Sequence, residues 1–443
     1  MDHVKKNFTL MGISVVLLAV RVIGAVVDVE LQSGSNQKDI DLLCQHTDYK
    51  PAFRKSIANV NNTNNPRELV KEAFKSVLLA IKEVTTQEAQ RTGRVSHRLL
   101  EKGPNDNAWW ATDKKRSNLN VDPKALKPNV VVAQDGSGTF STIMDAVRSV
   151  PQNNKHRFII FIKQGTYMEY VDIPDGVDNV VFIGEGPTKT RISGSRSYDD
   201  VNDTYRTATV GVNGAGFMAK GIGFENTSGP LKHQAVALRV SGDRAIFYSC
   251  AMDGYQDTLY AESQRQFYRH CTIRGTVDFI FGDAQAVFQD CKIIVRKPLE
   301  NQGCVVTAQG RKDPTSKSAL IIQGCTITAE PAYMATNPMP KSYLGRPWEM
   351  YSRTIIMQSF IDRNIAPEGW LPWDETRVGL DTCHYAEFNN KGPGANTTQR
   401  VNWKGVKKIS PQEADSFTPG KYINGGLWIK PTRVPYDPGM MNV

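Results

Sequence analysis

From about residue 130 onward, apolar positions come in short runs such as Val180-Val-Phe-Ile183, Ala245-Ile-Phe247, Ala319-Leu-Ile-Ile322 and Thr354-Ile-Ile-Met357. Each run is too short for a helix and is bounded by Gly, Asn, Asp or Ser, which predicts strands. An apolar residue followed after two intervening residues by cysteine recurs as Phe247-Tyr-Ser-Cys250, Tyr268-Arg-His-Cys271, Phe288-Gln-Asp-Cys291 and Ile322-Gln-Gly-Cys325; the first three copies lie 21 and 20 residues apart. A period near 20 residues with one to three strands per period predicts a parallel β-helix, all-β in class. Neighbouring coils of such a solenoid stack at the strand spacing of roughly 4.8 Å, so residues at equal register form ladders.

Ahead of this region the pattern is helical. Asn64 and Asn65 are placed to cap, Pro66 suits a first turn, and Val70, Phe74, Val77, Ile81 and Val84 make one apolar stripe. The β-rich domain opens at Asn129-Val-Val-Val-Ala-Gln-Asp-Gly-Ser-Gly-Thr-Phe140, whose glycine-rich turn lacks the Gly-Lys-Ser/Thr ending of a phosphate loop. It leads instead into a one-helix cap expected over Ser141 to Val150.

One repeat carries candidate chemistry. Gly254-Tyr-Gln-Asp257-Thr-Leu-Tyr260 is followed 21 residues later by Gly275-Thr-Val-Asp278-Phe-Ile-Phe281, matching at glycine, aspartate and the closing aromatic. Stacked coils would set Asp257 beside Asp278, and two close carboxylates cannot both ionise cheaply: one keeps a proton while the other stays an anion. An aspartate after glycine is also an ordinary turn former. The company of Tyr, Gln and two Phe favours a site. The cysteines read equally as a buried interior ladder or as disulfide partners.

Charge and the N-terminus add context. The 443 residues carry a formal net charge of +9, which favours an anionic partner. Nine basic residues against four acids (Glu101, Asp106, Asp113, Asp122) fall between Arg91 and Lys127, a stretch that reads as a basic linker over 91–126. No zinc-finger spacing, basic region with heptads or RNP-type strand is present, so no nucleic-acid partner is expected. Lys5 and Lys6 precede an apolar run from Phe8 to Val20, broken by Arg21 before Val22 to Val27. Residues 1–27 therefore read as a secretory signal peptide, with a signal anchor as competitor. Asn61, Asn202, Asn226 and Asn396 stand in glycosylation sequons.

Five blocks together resemble a known family: Gly165-Thr-Tyr-Met-Glu169, Gln234-Ala-Val-Ala-Leu238, Gly254-Tyr-Gln-Asp-Thr-Leu259, Gly275-Thr-Val-Asp-Phe-Ile-Phe-Gly282 and Leu344-Gly-Arg-Pro-Trp348. In this order they are similar to the signature blocks of pectin methylesterases. The resemblance implies a right-handed parallel β-helix over 127–443, methyl-esterified pectin (homogalacturonan) as substrate, no metal or cofactor, a monomer, and a secreted protein of the plant cell wall. Residues 30–90 resemble half of the inhibitor-like helical pro-region of many plant members, with Cys44 matching its first cysteine and Phe53 where the second would stand. A proteinaceous pectin methylesterase inhibitor is a further implied partner.

Ester hydrolysis needs a nucleophile, an acid for the departing alcohol and donors for the oxyanion. No Gly-x-Ser-x-Gly elbow and no His-Glu-x-x-His spacing occurs, leaving the carboxylate pair to supply both roles. Asp278 is assigned as nucleophile because Arg346 is positioned by the resemblance to hold it ionised, and Asp257 as acid and then base. The neutral amides of Gln256 and Gln234 are oxyanion donors. Trp348, Tyr260 and Phe281 offer apolar faces to a pyranose, and Thr204 falls where the family has a substrate-contacting threonine. Tyr167 and Glu169 are expected to stabilise the fold. Two competing readings remain at this stage: a β-helix glycosidase or lyase, which would also use paired carboxylates, and a non-catalytic pectin-binding protein.

Overall fold

The computed structural model describes residues 127–152 and 154–442. The expected signal segment at 1–27, helical pro-region at 30–90 and basic linker at 91–126 lie outside the described residues. Within them, every strand pairing between named strands is parallel, and the strands assemble into three sheets of eleven, seven and eight. Each complete coil of the central stack contributes one strand to each sheet, and the terminal coils add strands to the eleven-stranded sheet alone. Ala245–Tyr248, Ala251–Asp253 and Leu259–Ala261 form one turn; Arg265–Arg269, Thr272–Gly275 and Ile280–Gly282 form the next. This is the right-handed parallel β-helix, and the 20-to-21-residue period is one coil.

The recurrent apolar-x-x-Cys pattern has a conformational cause. Between the first and second strand of successive coils the chain turns a sharp corner through one left-handed residue: Ser249, His270, Asp290 and Gly324 all have φ between 51° and 62°. The next residue points inward, and Cys250, Cys271, Cys291 and Cys325 fill that slot as a ladder of small, polarisable side chains. All six described cysteines are free and buried. The thiols satisfy themselves on backbone carbonyls, Cys271 on Phe247 at 3.4 Å and Cys325 on Phe288 at 3.4 Å. The apolar residue that begins each pattern stacks with its counterpart. Phe247 lies 4.9 Å from Tyr268, and Tyr268 lies 4.5 Å from Phe288, with rings nearly parallel.

The open N-terminal end is closed by the helix Ile143–Arg148, capped by Thr142 and burying Ile143, Ala146 and Val147. The Glu169 carboxylate accepts from Ile143 N–H (3.0 Å) and Met144 N–H (3.2 Å) at its positive end. Tyr167 is fully buried and donates to the Lys163 carbonyl at 3.0 Å. At the other end, short helices Pro411–Ser416 and Gly425–Trp428 cover the outer face of the eleven-stranded sheet, joining its apolar residues Ile321, Ile355 and Met357. Among the described residues no helix is long and apolar enough to cross a membrane, and no cluster of three or more His, Cys, Asp or Glu could hold a metal ion.

Burial pushes the Cys271 and Cys325 thiols well up and those of Cys304 and Cys383 up to about 12, so none of these four is a thiolate at neutral pH. At Cys291 burial is outweighed by hydrogen bonds from Cys271 and Cys325, which draw the thiol down, but it is 2% exposed and as sealed from reagent as the rest. Maleimide labelling of the native protein is expected to modify Cys44 at most, and all seven cysteines only after unfolding in guanidinium. Labelling of a second cysteine in native protein would contradict the sealed ladder.

Candidate active site

The two aspartates stand on turns that feed adjacent strands of the seven-stranded sheet. Leu259 pairs with Ile280 and Tyr260 with Phe281, so Asp257 and Asp278, each two residues before that first pair, fall at equal register one coil apart, roughly 4.8 Å. Backbone bonds weld one turn to the other: Gly254 N–H to Arg274 C=O (3.2 Å), Thr276 N–H to Tyr255 C=O (2.9 Å), Asp257 N–H to Val277 C=O (3.0 Å) and Leu259 N–H to Phe279 C=O (2.9 Å). Both aspartates hold left-handed backbone, φ 62° at Asp257 and 49° at Asp278. That region is uncommon for a residue with a Cβ, though aspartate tolerates it better than most. Gly275 is required by contact, since a Cβ there would sit 2.2 Å from the Cβ of Phe279.

The repeat is chemically unequal. Asp257 is 8% exposed and Asp278 4%. Arg346 reaches Asp278 from two coils away in a bidentate pair, Nε to Oδ1 at 2.8 Å and Nη2 to Oδ2 at 2.5 Å. Burial raises the Asp278 carboxyl above its ordinary range while Arg346 pulls it back. Asp257 is pushed well above that range by burial and then by the negative charge of Asp278, with the positive charge of Arg346 a smaller, opposing influence. Of the two, Asp257 is the one that keeps a proton.

Around this pair a row of equal-register residues runs across the sheet: Asp172, Gly211, Arg239, Tyr260, Phe281, Ala308 and Arg346. Tyr260 and Phe281 stack at 4.3 Å, and Trp348 meets Phe281 edge-on at 6.0 Å, forming an apolar wall over the carboxylates. Farther along the row lies a hollow of about 610 Å³ lined by Tyr170, Arg196, Tyr205, Arg206 and Arg239 among others. Gln256 and Gln234 are both half-buried and stand on neighbouring coils, linked by Ala235 N–H to Gln256 C=O at 3.2 Å.

Eight of the nine residues singled out from the sequence therefore converge on these few coils of one sheet. Thr204 is the looser case. It opens the short 3-10 turn Thr204–Thr207, and its carbonyl accepts from Thr207 Oγ1, with no hydrogen bond from its own hydroxyl to the carboxylate pair. The arginines and tyrosines of the hollow were not read from the sequence, and neither was Trp373, whose ring the Arg346 guanidinium covers at 4.3 Å. The signal was Gly369-Trp-Leu-Pro-Trp373, but only the fold separates the two tryptophans. Trp370 is 1% exposed and stacks on Tyr385 at 4.4 Å, whereas Trp373 faces the groove cluster.

Comparison with known proteins places the chain in a family. The family model described as Pectinesterase matches residues 129–426. A pectinesterase of Petunia integrifolia is 58% identical over 319 residues, covering 72% of this chain and 85% of that protein. Pectinesterase/pectinesterase inhibitor 18 of Arabidopsis thaliana is 50% identical over 331 residues, 74% of this chain but 59% of its own length. The chain thus spans less than two thirds of that longer relative. Among solved structures, pectin methylesterase from carrot superposes with a TM-score of 0.70 at 49% identity, covering 71% of this chain and 98% of that one. That from Aspergillus niger gives 0.59 at 31% identity, covering 68% and 95%.

The raised Asp257 carboxyl has a cost in stability. A folded-state pKa above the unfolded value means that the native protein binds the proton more tightly, so stability falls as pH rises through and beyond the unfolded value near 3.8. Asp257→Asn, a neutral isostere, should raise Tm at pH 7 relative to the parent, and the gain should vanish near pH 3. A calorimetric Tm unchanged or lowered at pH 7 would show that Asp257 is not held protonated by its surroundings.

Proposed function

Because the chain belongs to the pectinesterase family, we propose that it hydrolyses the methyl esters of galacturonosyl units in pectin, releasing methanol and leaving pectate. The observation that carries this reading is the buried carboxylate pair at equal register, one held by a bidentate arginine and the other left to retain a proton.

In this mechanism Asp278 attacks the ester carbonyl carbon, and the carbonyl electrons move onto oxygen, where the side-chain amides of Gln256 and Gln234 donate to the oxyanion. Collapse breaks the bond to the methoxy group, which takes the Asp257 proton and leaves as methanol. The galacturonyl group remains as an anhydride on Asp278. Asp257, now a carboxylate, removes a proton from water as the water attacks the same carbon. The second collapse releases the acid, frees Asp278 and leaves Asp257 protonated for the next cycle. Arg346 keeps Asp278 anionic between cycles. The two carboxyl groups supply nucleophile, acid and base, so no step calls for a metal or cofactor.

The aromatic wall of Tyr260, Phe281 and Trp348 supports binding of sugar faces, with Trp373 beside Arg346 and Thr204 at the groove margin as a further substrate contact. The arginines of the hollow beyond Arg239 suit a polyanionic chain. On this reading the protein is secreted and acts in the plant cell wall as a monomer. Residues 127–443 are its catalytic domain, 30–90 a partial inhibitor-like segment, and a proteinaceous inhibitor its natural antagonist.

Purified protein incubated with esterified pectin should release methanol without new reducing ends or unsaturated products; either of those would favour a glycosidase or lyase. Asp278→Ala is expected to abolish methanol release while leaving the folded signature intact, and retained turnover would sink the nucleophile assignment. Gln256→Ala should lower kcat by roughly 10²- to 10³-fold. Activity should rise as Asp278 ionises and fall as Asp257 loses its proton. Removing the Arg346 cation raises the Asp278 pKa, so Arg346→Ala should move the acid limb of the pH–rate profile to higher pH; a stationary limb would separate Arg346 from that ionisation.

A further inference from the structure

Arg296 stands outside the groove row and outside the mechanism, yet it touches both aspartate-bearing turns. It follows the strand Lys292–Val295, in which Val295 pairs with Gly275. Arg274 pairs with Asp253, so Tyr255, Thr276 and Arg296 occupy the same position in three successive coils. The Arg296 backbone N–H donates to the Gly275 carbonyl at 2.8 Å, at the start of the Asp278 turn. Its side chain reaches back two coils, roughly 10 Å, to the start of the Asp257 turn. There Nη1 donates to the Gly254 carbonyl at 2.9 Å, Nη2 to the Tyr255 hydroxyl at 2.9 Å, and the guanidinium lies 3.8 Å over the Tyr255 ring. Behind it, Glu330 approaches Nε at 3.9 Å and accepts from the Lys297 N–H at 2.8 Å, anchoring the fork.

Among the described residues no other side chain from a neighbouring coil hydrogen-bonds the Gly254–Gln256 backbone. The remaining ties are those of Thr258, within the same turn, and the ladder bonds. Tyr255 immediately precedes Gln256 and the left-handed Asp257, so a rotation at Tyr255 would swing the amide and the carboxyl together. We infer that Arg296 is a positioning residue for the proposed reaction: by clamping Gly254 and Tyr255 with its side chain and Gly275 with its backbone, it sets the separation of the two carboxyl groups and the aim of Gln256. This rests on the mechanism above. Arg296 touches neither carboxylate, so its effect runs through geometry rather than through charge.

The test compares Arg296→Ala, Arg296→Lys and Tyr255→Phe with the parent and with Asp278→Ala in one methanol-release assay across pH, alongside Tm. Misplacement near 1 Å costs on the order of 100-fold in rate. Arg296→Ala should therefore lose about 10- to 100-fold in kcat with KM within about threefold. Its alkaline limb should move to lower pH as the carboxyl groups separate and Asp257 is better hydrated. Arg296→Lys, which keeps the charge but not the fork, and Tyr255→Phe, which keeps the ring but not the acceptor, should show smaller losses of the same kind at near-parental Tm; they carry the test if the alanine variant does not fold. Parental kcat and an unmoved alkaline limb in both conservative variants, with Asp278→Ala inert, would overturn the positioning role alone. Turnover by Asp278→Ala would overturn the mechanism instead.

Discussion

The parallel register between successive coils is the constraint on which the site depends. Leu259 opposite Ile280 and Tyr260 opposite Phe281 fix where the two strands begin, and four backbone hydrogen bonds then stitch the preceding turns together residue by residue. Since side chains alternate faces along a strand, slipping the register by a single residue would send one carboxylate into the solenoid interior. Just upstream, the Asp253–Arg274 ion pair at 2.7 Å joins the residues that launch the two turns. A solenoid offers this rigidity cheaply, because each coil templates the next over the whole stack.

That geometry is electrostatically uncomfortable. Burial raises the proton affinity of both carboxyl groups, the charge of Asp278 raises that of Asp257 further, and a single arginine, paired directly with Asp278, offsets most at that side. The imbalance separates an anion from an acid without any difference in residue type. It also means that the most constrained part of the fold is not its most stable part, the usual condition of a site held in place by its surroundings. The left-handed φ of both aspartates is held by the same stitching, so backbone strain and charge strain fall on the same two residues.

Away from the groove the stack solves a different problem, that of its ends and outer faces. Glu169 and Thr142 pin the capping helix at one end. Along the outer face, Gln289, Gln323 and Gln358 form an amide ladder, with 2.9 and 3.1 Å between successive members. Each donates to the C-terminal segment: to the carbonyls of Asp437, Gly439 and Met441. The segment is thus gripped at every second residue by side chains standing where a strand's backbone would, which satisfies three buried amides and covers the apolar sheet beneath.

The sequence by itself was enough for the solenoid, for its period and for the neighbourhood of Asp257 and Asp278, because a repeat of fixed length can only be satisfied by stacking, and stacking carries equal positions into ladders. It also held the inequality between the copies, in Gln256 against Val277. It left open the state of the cysteines, since the same spacing serves a disulfide or an interior slot, and the left-handed corner that decides it is a backbone property. It did not distinguish Trp373 from Trp370, nor reveal what Arg296 does. Those depend on which side of a coil a residue faces and how far a side chain reaches across its neighbours. Contacts between residues 41 or 68 positions apart, as in Tyr255 with Arg296 and Asp278 with Arg346, have no local signature in the chain; they exist only because the coils close.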